Sequence, residues 1–467
     1  MNNKKKICDW IEENKKEYFD LADFIWENPE LSMQEYKAAE KLVDILRVNG
    51  FHVETGLAGM PTSFVATYGA GKPVIAFSSE YDALPGLSQK KDSIKYDPVV
   101  AMAPGHGCGH NLMAVGGILS AVALKTYMSE NGIGGTIKVF GTPAEELCIG
   151  KPFMAREGLF DGIDAFIDWH PNHLNRAAYC DTNAYFNVKF HFTGVSSHGN
   201  APWNGRSSLD GAMLMGHAIE MLREHIKPGT ETSPTTLNYA FPDVGNSFPN
   251  VVPAKTTIWC VGRMKNAEMA EDVLGRLSKC AEGCAIATGT TVTREVITAT
   301  HDMIPNLQMS KVIEENLKFV GCPDYSEKDQ EVAKAIQKEM GVKETGYDKK
   351  ILDTELSSQP VSDSSEYSWF APIAFLNIAL SPSADVGWHS WTSARFAGSD
   401  VGKKVLETVG KVLALTGYDL IENTDIIEKA KKELLERLDG KTYETLLPED
   451  AVPDLTTNKD IMDKFKK

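Results

Sequence analysis

The chain has 467 residues and a formal net charge of −16, and 42% of its residues are hydrophobic and 24% charged. This length exceeds what one hydrophobic core usually covers, so two domains are the first expectation. The negative charge argues against a nucleic acid or an anionic membrane as a general partner, because no basic field would attract phosphates. An anionic substrate would need local cations.

The N-terminal segment is basic over Met1–Trp10, but no apolar stretch follows it, so it does not have the pattern of a signal peptide. No uninterrupted apolar run approaches the roughly 20 residues of a membrane helix. The eight cysteines are scattered without paired spacing, as is typical of reduced thiols. We therefore expect a cytoplasmic protein without a membrane partner.

The first part of the chain predicts helices followed by alternating strands and helices. Two amphipathic helices are expected between about Ile7 and Gly50, the second starting at Ser32 with Glu35 completing a capping box. Strands are then expected at 63–68, 74–78, 136–141 and 165–169, with a helix at 112–128. This alternation predicts an α/β fold with a mostly parallel sheet.

The pattern changes near Asp181. Strands are expected at 185–193, 235–241, 256–264 and 291–298, with helices at 208–225 and 267–288, which is the order of a ferredoxin-like α+β unit. Helix-rich α/β sequence resumes near Asn306. The sequence thus predicts one domain in two parts, 1–182 and 300–423, with a second domain inserted at 183–299. A charged, helical and then polar C-terminal extension covers 424–467.

Side chains that bind metals stand at or just past the ends of several strand-like runs. They are Cys108, His110, Glu145, Glu146, His170 and His389. Open α/β sheets place their chemistry beyond the carboxyl ends of their strands. Thiolate, imidazole and carboxylate groups converging there indicate a Zn- or Mn-type site.

The adjacent pair Glu145-Glu146 is the most informative of these. One carboxylate can bind a metal while its neighbour takes a proton from a water whose pKa the metal lowers towards about 7. The alternative is a solvated pair at a helix start, where two acids suit the helix dipole. The strand that ends in His170-Pro171, 24 residues later, favours the metal site over that alternative.

The segment Cys108-Gly109-His110 has two functional interpretations. A cysteine nucleophile with a nearby histidine is one, but two residues this close in a glycine-rich turn suit two ligands of one ion better. A buried cysteine in a turn is the third, non-functional alternative. His106, just before the pair, is interpreted as a bystander, and Trp388 and Trp391 beside His389 as core aromatics.

Taken in chain order, these segments resemble the dinuclear metallo-amidohydrolases, the family of aminoacylases, hippurate hydrolase, auxin-conjugate hydrolases and glutamate carboxypeptidase. The resemblance covers about Glu30 to Ala414, and within the family it is strongest to the p-aminobenzoyl-glutamate hydrolases and their dipeptidase-like relatives. The matching motifs are Ser79–Pro85, Gly107–His110, Pro143–Glu146, Trp169–Pro171, Ser197–Gly199, Asn250–Pro253 and His389.

The resemblance implies a role for each matching residue. The metal ligands would be Cys108, His110, Glu146, His170 and His389, and Glu145 would be the general base. Asp82 would orient a ligand histidine. His198 and Asn250 would hold the scissile carbonyl, often across a dimer interface, and Arg263 would bind the substrate carboxylate.

The implied activity is hydrolysis of the amide bond of an N-acyl amino acid or dipeptide-like compound, with p-aminobenzoyl-glutamate as one candidate, at two divalent ions per chain, Zn²⁺ or Mn²⁺. The two-part domain, 1–182 and 300–423, would be the catalytic domain, and the domain inserted at 183–299 would be a lid and dimerisation domain. A homodimer through this lid domain is therefore expected, and a related partner subunit is a further candidate. The alternatives are another dipeptidase or deacylase specificity, a non-catalytic metal-binding relative, and a cysteine hydrolase using Cys108. The chain departs from many relatives at Asn111–Met113 and Ser390–Ser393, which bears on specificity more than on chemistry.

Overall fold

The computed structural model describes residues 2–231, 233–246 and 248–465. The strands, in chain order, are β1 (His52–Thr55), β2 (Phe64–Ala70), β3 (Val74–Ser79), β4 (Gly135–Gly141), β5 (Ala165–Asn172), β6 (Arg176–Ala177), β7 (Tyr179–Thr182), β8 (Ala184–Thr193), β9 (Thr236–Asp243), β10 (Lys255–Met264), β11 (Thr291–Thr300), β12 (Leu356–Gln359) and β13 (Ile373–Ala379). The α-helices are α1 (Asn2–Glu27), α2 (Tyr36–Val48), α3 (His110–Asn131), α4 (Gly150–Arg156), α5 (Ser208–Glu224), α6 (Ala267–Thr288), α7 (Leu307–Val320), α8 (Glu327–Glu339), α9 (Trp391–Ala397), α10 (Asp400–Glu422), α11 (Asp425–Leu438) and α12 (Lys459–Phe465).

A seven-stranded mixed sheet forms the centre of the larger unit, in the order β1-β2-β4-β3-β5-β13-β6. Its four central strands, β4, β3, β5 and β13, run parallel, whereas β1, β2 and β6 pair antiparallel at the edges. Parallel strands share one carboxyl edge, so the loops that follow the four central strands meet there. The predicted α/β class with a mostly parallel sheet is confirmed.

Helix α3 is the central helix of this unit and is buried on almost every side. It packs on β3 and against α1 and α10. A side chain at Gly117 would lie 2.0 Å from the carbonyl oxygen of Ser78, so glycine allows the helix to approach the sheet closely. By length and composition α3 could cross a membrane, but 83% of its most apolar window is buried inside the protein, as expected for a core helix.

A second, four-stranded antiparallel sheet lies between β5 and β13 in the chain, in the order β11-β8-β10-β9. Alternate residues of β8 (Phe186, Val188, Phe190 and Phe192) are buried in one core cluster with residues of α5 and α6, which pack on that side of the sheet. The observed order β-α-β-β-α-β is the one that the sequence predicted. We call the segment from β8 to β11 the lid unit.

The C-terminal extension returns to the larger unit after α11. Arg156 donates hydrogen bonds to the carbonyl oxygens of Pro448 and Ala451. Gln34 donates to those of Leu455 and Thr457 at 3.0 Å each. The extension is therefore hydrogen-bonded to the loop that precedes α2.

The predicted capping box at Ser32 and Glu35 is wrong. Helix α2 begins at Tyr36, and its N-cap residue Glu35 makes no capping hydrogen bond with its side chain; Glu30 instead accepts from the backbone N–H groups of Lys37 and Ala38. Ser32 donates to the carboxylate of Asp82 at 2.6 Å, and Glu35 accepts from the backbone N–H groups of Met33 and Ala144. Both side chains are buried, and a buried polar group takes the partners that its tertiary surroundings offer.

Candidate metal centre

Three loops at the carboxyl edge of the central sheet, together with strand β5, carry the site. Glu80 and Asp82 follow β3, Glu145 and Glu146 form a 3₁₀ turn after β4, and His389 lies in the loop between β13 and α9. His170 lies inside β5 rather than beyond it, which corrects the expectation from its apolar run. Cys108 and His110 stand at the start of α3, where Gly109 has a φ of 85° that favours glycine.

The structure brings the five predicted ligands together. The Cys108 Sγ atom is 3.3 Å from His170 Nε2. His110 Nε2 is 3.9 Å from Glu146 Oε1, and His389 Nε2 is 3.4 Å from Glu146 Oε2. The donor atoms of Cys108, His110 and His170 lie within 4.8 Å of one another, and so do those of Cys108, Glu146 and His389. Together the two groups contain five donor residues, which is more than the four ligands that one tetrahedral ion binds.

Unpartnered polar atoms test whether these residues fit a metal. His110 Nε2 and Glu146 Oε1 are buried and have no hydrogen-bond partner within the described part of the chain. Such atoms are costly unless a ligand satisfies them. The donor set therefore fits divalent cations.

Electrostatics lead to the same conclusion. Burial and the nearby Glu80 carboxylate raise the pKa of Glu145 to about 8, and burial raises the pKa of Glu146 to about 8. Burial lowers the pKa of His170 to about 4, which keeps its ring neutral and able to bind a metal. Crowded buried carboxylates are stabilised in the charged form by a nearby cation.

Asp82 is hydrogen-bonded to the predicted ligand His110 and to the backbone of the predicted ligand Glu146. Its Oδ1 atom is 3.0 Å from His110 Nδ1, and its Oδ2 atom accepts from Ser32 and, at 3.0 Å, from the backbone N–H of Glu146. The ring of His110 thus presents Nε2 to the other donors. His170 is held similarly, with Nδ1 2.7 Å from the carbonyl oxygen of Pro171.

Four supporting residues were not assigned a role from the sequence. Glu80 Oε1 lies 3.7 Å from His110 Nε2, and Glu80 Oε2 accepts from Lys151 at 2.7 Å. Lys151 is fully buried and also forms an ion pair with Asp363. Ser362 donates to Glu145 Oε1 at 2.9 Å. Glu80 lies inside the motif Ser79–Pro85. Lys151 and Asp363 are 212 residues apart in the chain, so no local sequence pattern connects them.

The lid residues His198 and Asn250 lie together but apart from the ligands. Both are exposed, and Asn250 Nδ2 is 3.5 Å from His198 Nε2. Neither forms a hydrogen bond or ion pair with the five ligands over the described ranges. Arg263 stands on β10 with its guanidinium 5.7 Å from the centre of the Tyr185 ring, and it forms no ion pair with any described residue.

The surroundings of His106 and of the Cys108 thiol bear on the other interpretations of this segment. His106 is buried, its Nε2 lies 3.1 Å from the carbonyl oxygen of Ile25, and burial lowers its pKa to about 3. Its contact with α1 is a packing contact, and His106 is in none of the groups of possible metal donors among the described residues. Burial raises the pKa of the Cys108 thiol above its usual value, which is unfavourable for a free thiolate nucleophile. Near a bound cation the same sulfur would instead be a ligand.

Comparison with known proteins agrees with this geometry. Residues 76–304 match the model of peptidase family M20/M25/M40. The chain is 30% identical to one of the subunits of p-aminobenzoyl-glutamate hydrolase from Escherichia coli, over 96% of this chain and 98% of that protein. It is 26% identical to the mouse Xaa-Arg dipeptidase over 92% and 91% of the two chains.

A solved structure shares the fold. The aminobenzoyl-glutamate utilization protein of Klebsiella pneumoniae superposes with a TM-score of 0.57 at 17% identity, over 87% of this chain and 97% of that one. With the converging metal donors and the adjacent Glu145, these matches show that the chain belongs to peptidase family M20/M25/M40 and is a metal-dependent hydrolase of amide bonds.

Proposed function

We propose that the protein releases an amino acid from an N-acyl amino acid or a dipeptide-like substrate, with p-aminobenzoyl-glutamate as the first compound to test. The observation that carries this is the position of Glu145. Its Oε2 atom lies 3.6 Å from His110 Nε2, beside the predicted ligands. Glu145 is in neither of the donor groups that contain Cys108, although it forms a third possible group with Glu80 and His110. A carboxylate beside the donors that share Cys108 is suited to accept a proton from water there.

Two divalent ions, held by Cys108, His110, Glu146, His170 and His389, would polarise the scissile carbonyl and lower the pKa of water when bound. Glu145 would use its Oε2 atom to accept the proton of the attacking water, and it would then pass that proton to the leaving amine. Asp82 would keep His110 in the tautomer whose Nε2 atom is free. The mixture of sulfur, nitrogen and oxygen donors supports Zn²⁺ or Mn²⁺.

The lid unit would complete the site from a second copy of the chain. Strand β9 is at the edge of its sheet, and α5 exposes Met213, Leu214 and Met221. An edge strand beside an apolar helix face favours a symmetric homodimer. Across it, His198 and Asn250 would donate to the developing oxyanion of the partner's substrate.

Arg263 supports the choice of a substrate with a free carboxylate. Its guanidinium has no acidic partner in the described part of the chain, although a planar fork of donors is suited to a carboxylate. The chain as a whole is strongly acidic, so a local cation is what an anionic substrate requires. The substrate carboxylate would pair with Arg263.

The cellular setting is a further part of the proposal. The Escherichia coli relative is one subunit of its enzyme, so a related partner subunit is an alternative to the homodimer. All eight cysteines are free, which supports a cytoplasmic location.

The experiment is a screen of N-acyl amino acids and dipeptides with Zn- and Mn-loaded protein, measuring released amine. Glu145→Gln keeps size but removes the proton acceptor, so turnover should fall at least about 100-fold while metal stays bound. His110→Ala and His389→Ala should lower metal occupancy. Full occupancy in both, or undiminished turnover in Glu145→Gln, would contradict the assignment.

A mixing experiment tests the dimer. Glu145→Gln and His198→Ala chains are each expected to be inactive, and together they should recover activity if the histidine serves the partner's metals. If subunits exchange and no activity returns, each chain completes its own site.

A further inference from the structure

One oxygen of the candidate base is held by a serine from a distant part of the chain. Ser362 Oγ donates to Glu145 Oε1 at 2.9 Å, while Glu145 Oε2 faces the ligands, 3.6 Å from His110 Nε2. A carboxylate fixed at one oxygen can no longer turn freely about its last bond. The free oxygen is therefore aimed at the position from which a proton is taken.

Ser362 is itself held in place. It is the N-cap of the 3₁₀ helix Asp363–Trp369, where its hydroxyl accepts from the backbone N–H of Ser364 at 3.2 Å. A hydroxyl has one hydrogen to donate and lone pairs to accept with. Because the Ser364 N–H occupies a lone pair, the single hydrogen is left for Glu145.

The next residue anchors this turn to the segment that carries Glu145. Asp363 forms an ion pair with Lys151 Nζ and accepts from its backbone N–H at 3.2 Å. Lys151 also donates to Glu80, and all three side chains are at most 1% exposed. Lys151 belongs to α4, which directly follows the turn of Glu145. A buried, hydrogen-bonded charge pair is lost only at a large cost, so the distance between Ser362 and Glu145 is tightly set.

We propose that Ser362 is the positioning residue of the general base, and that the Lys151–Asp363 ion pair fixes it there. This rests on the proposed function, since it assigns Ser362 a role through Glu145. A purely structural role, capping the 3₁₀ helix, makes different predictions. A cap contributes to stability, whereas a positioning residue contributes to turnover.

The backbone allows a matched pair of variants. Ser362 has a φ of −144° and a ψ of 145°, an extended conformation that β-branched residues adopt readily. Ser362→Thr keeps the hydroxyl, and Ser362→Val has nearly the same shape without it. Ser362→Ala adds no bulk and has the same expectation as Ser362→Val. Ser326→Ala, which removes the cap of α8, is the control for the loss of a helix cap.

Ser362→Val should lower kcat about 10- to 100-fold with KM nearly unchanged, as is usual when a residue that orients a functional group is lost. Its metal content should equal that of the wild type, and Ser362→Thr should restore most of kcat. In a Glu145→Gln background, Ser362→Val should have no further effect, because the group it positions no longer acts. Ser326→Ala should leave kcat unchanged.

Equal kcat for the Val and Thr variants, a loss of metal in Ser362→Val, or a full further loss in the Glu145→Gln background would each overturn the positioning role. An inactive wild type, or an active Glu145→Gln, would instead refute the proposed function. A crystal structure of metal-loaded Ser362→Val gives an independent readout. The proposal expects the Glu145 carboxylate to rotate, and an unmoved carboxylate contradicts it.

Discussion

Replacing Asp82 by Asn removes one charge at the point where three parts of the metal centre meet. Asp82 accepts hydrogen bonds from His110 Nδ1, Ser32 Oγ and the backbone N–H of Glu146. Its two oxygens serve three donors, and the side chain is fully buried. An asparagine of the same shape has one oxygen and one NH₂ group, so it cannot accept from both sides.

Either orientation of the new amide leaves a conflict. With its oxygen towards His110, the NH₂ group faces the N–H of Glu146, and that hydrogen bond is lost. With its NH₂ group towards His110, two donors meet at Nδ1. The backbone carbonyl of Asp82 is also 3.0 Å from His110 Nδ1, so the tautomer that leaves Nε2 free survives in both cases.

The magnitude follows from that surviving contact. Loss of a residue that orients a metal ligand usually weakens metal binding about 10- to 100-fold. Because the carbonyl still fixes the His110 tautomer, we expect the lower end, about 10-fold or about 1.4 kcal/mol. The lost negative charge beside His110 and the freed Glu146 N–H account for it.

The assay is a titration of metal-free protein with Zn²⁺ against a competing chromogenic chelator. Asp164→Asn is the matched control, since Asp164 is also a buried carboxylate with several partners, but it accepts from Val74, Lys72 and Lys431 far from the ligands. That control should change stability and not metal affinity. Metal affinity of Asp82→Asn within about twofold of the wild type would refute the reasoning, because a buried second partner of a ligand normally matters more than that.

Three other outcomes are expected. Lys151→Met should lower the free energy of unfolding in urea by about 3–5 kcal/mol, because it leaves the buried Glu80 and Asp363 carboxylates without a cation; a change below about 1 kcal/mol would contradict the ion-pair assignment. Arg263→Ala should raise KM for substrates with a free carboxylate more than for their amides, with Arg263→Lys intermediate, and equal effects on both would argue against a carboxylate contact. Deleting residues 452–467 removes the acceptors of Gln34 and should lower stability by about 1–3 kcal/mol, and an unchanged urea midpoint would show that the extension is dispensable.

Many of the secondary-structure elements and the convergence of the metal-binding types of side chain could be predicted from the amino-acid sequence. Strand and helix periodicity reports which residues face a core, so β8, β10 and α6 were located to within two residues. Glycine-rich and acidic motifs at strand ends predicted that Cys108, His110 and Glu146 would lie together, as they do, because parallel strands bring their carboxyl ends to one edge whatever the details of packing.

The groups that support this edge could be found only in the folded structure. Ser32 and Glu35 fit a helix-capping pattern in the sequence, yet both turn to buried partners instead. Lys151 meets Asp363 across 212 residues of chain. The physical reason is that local patterns follow backbone geometry, whereas the partner of a buried charge or hydroxyl is whatever group folding brings within about 3 Å of it.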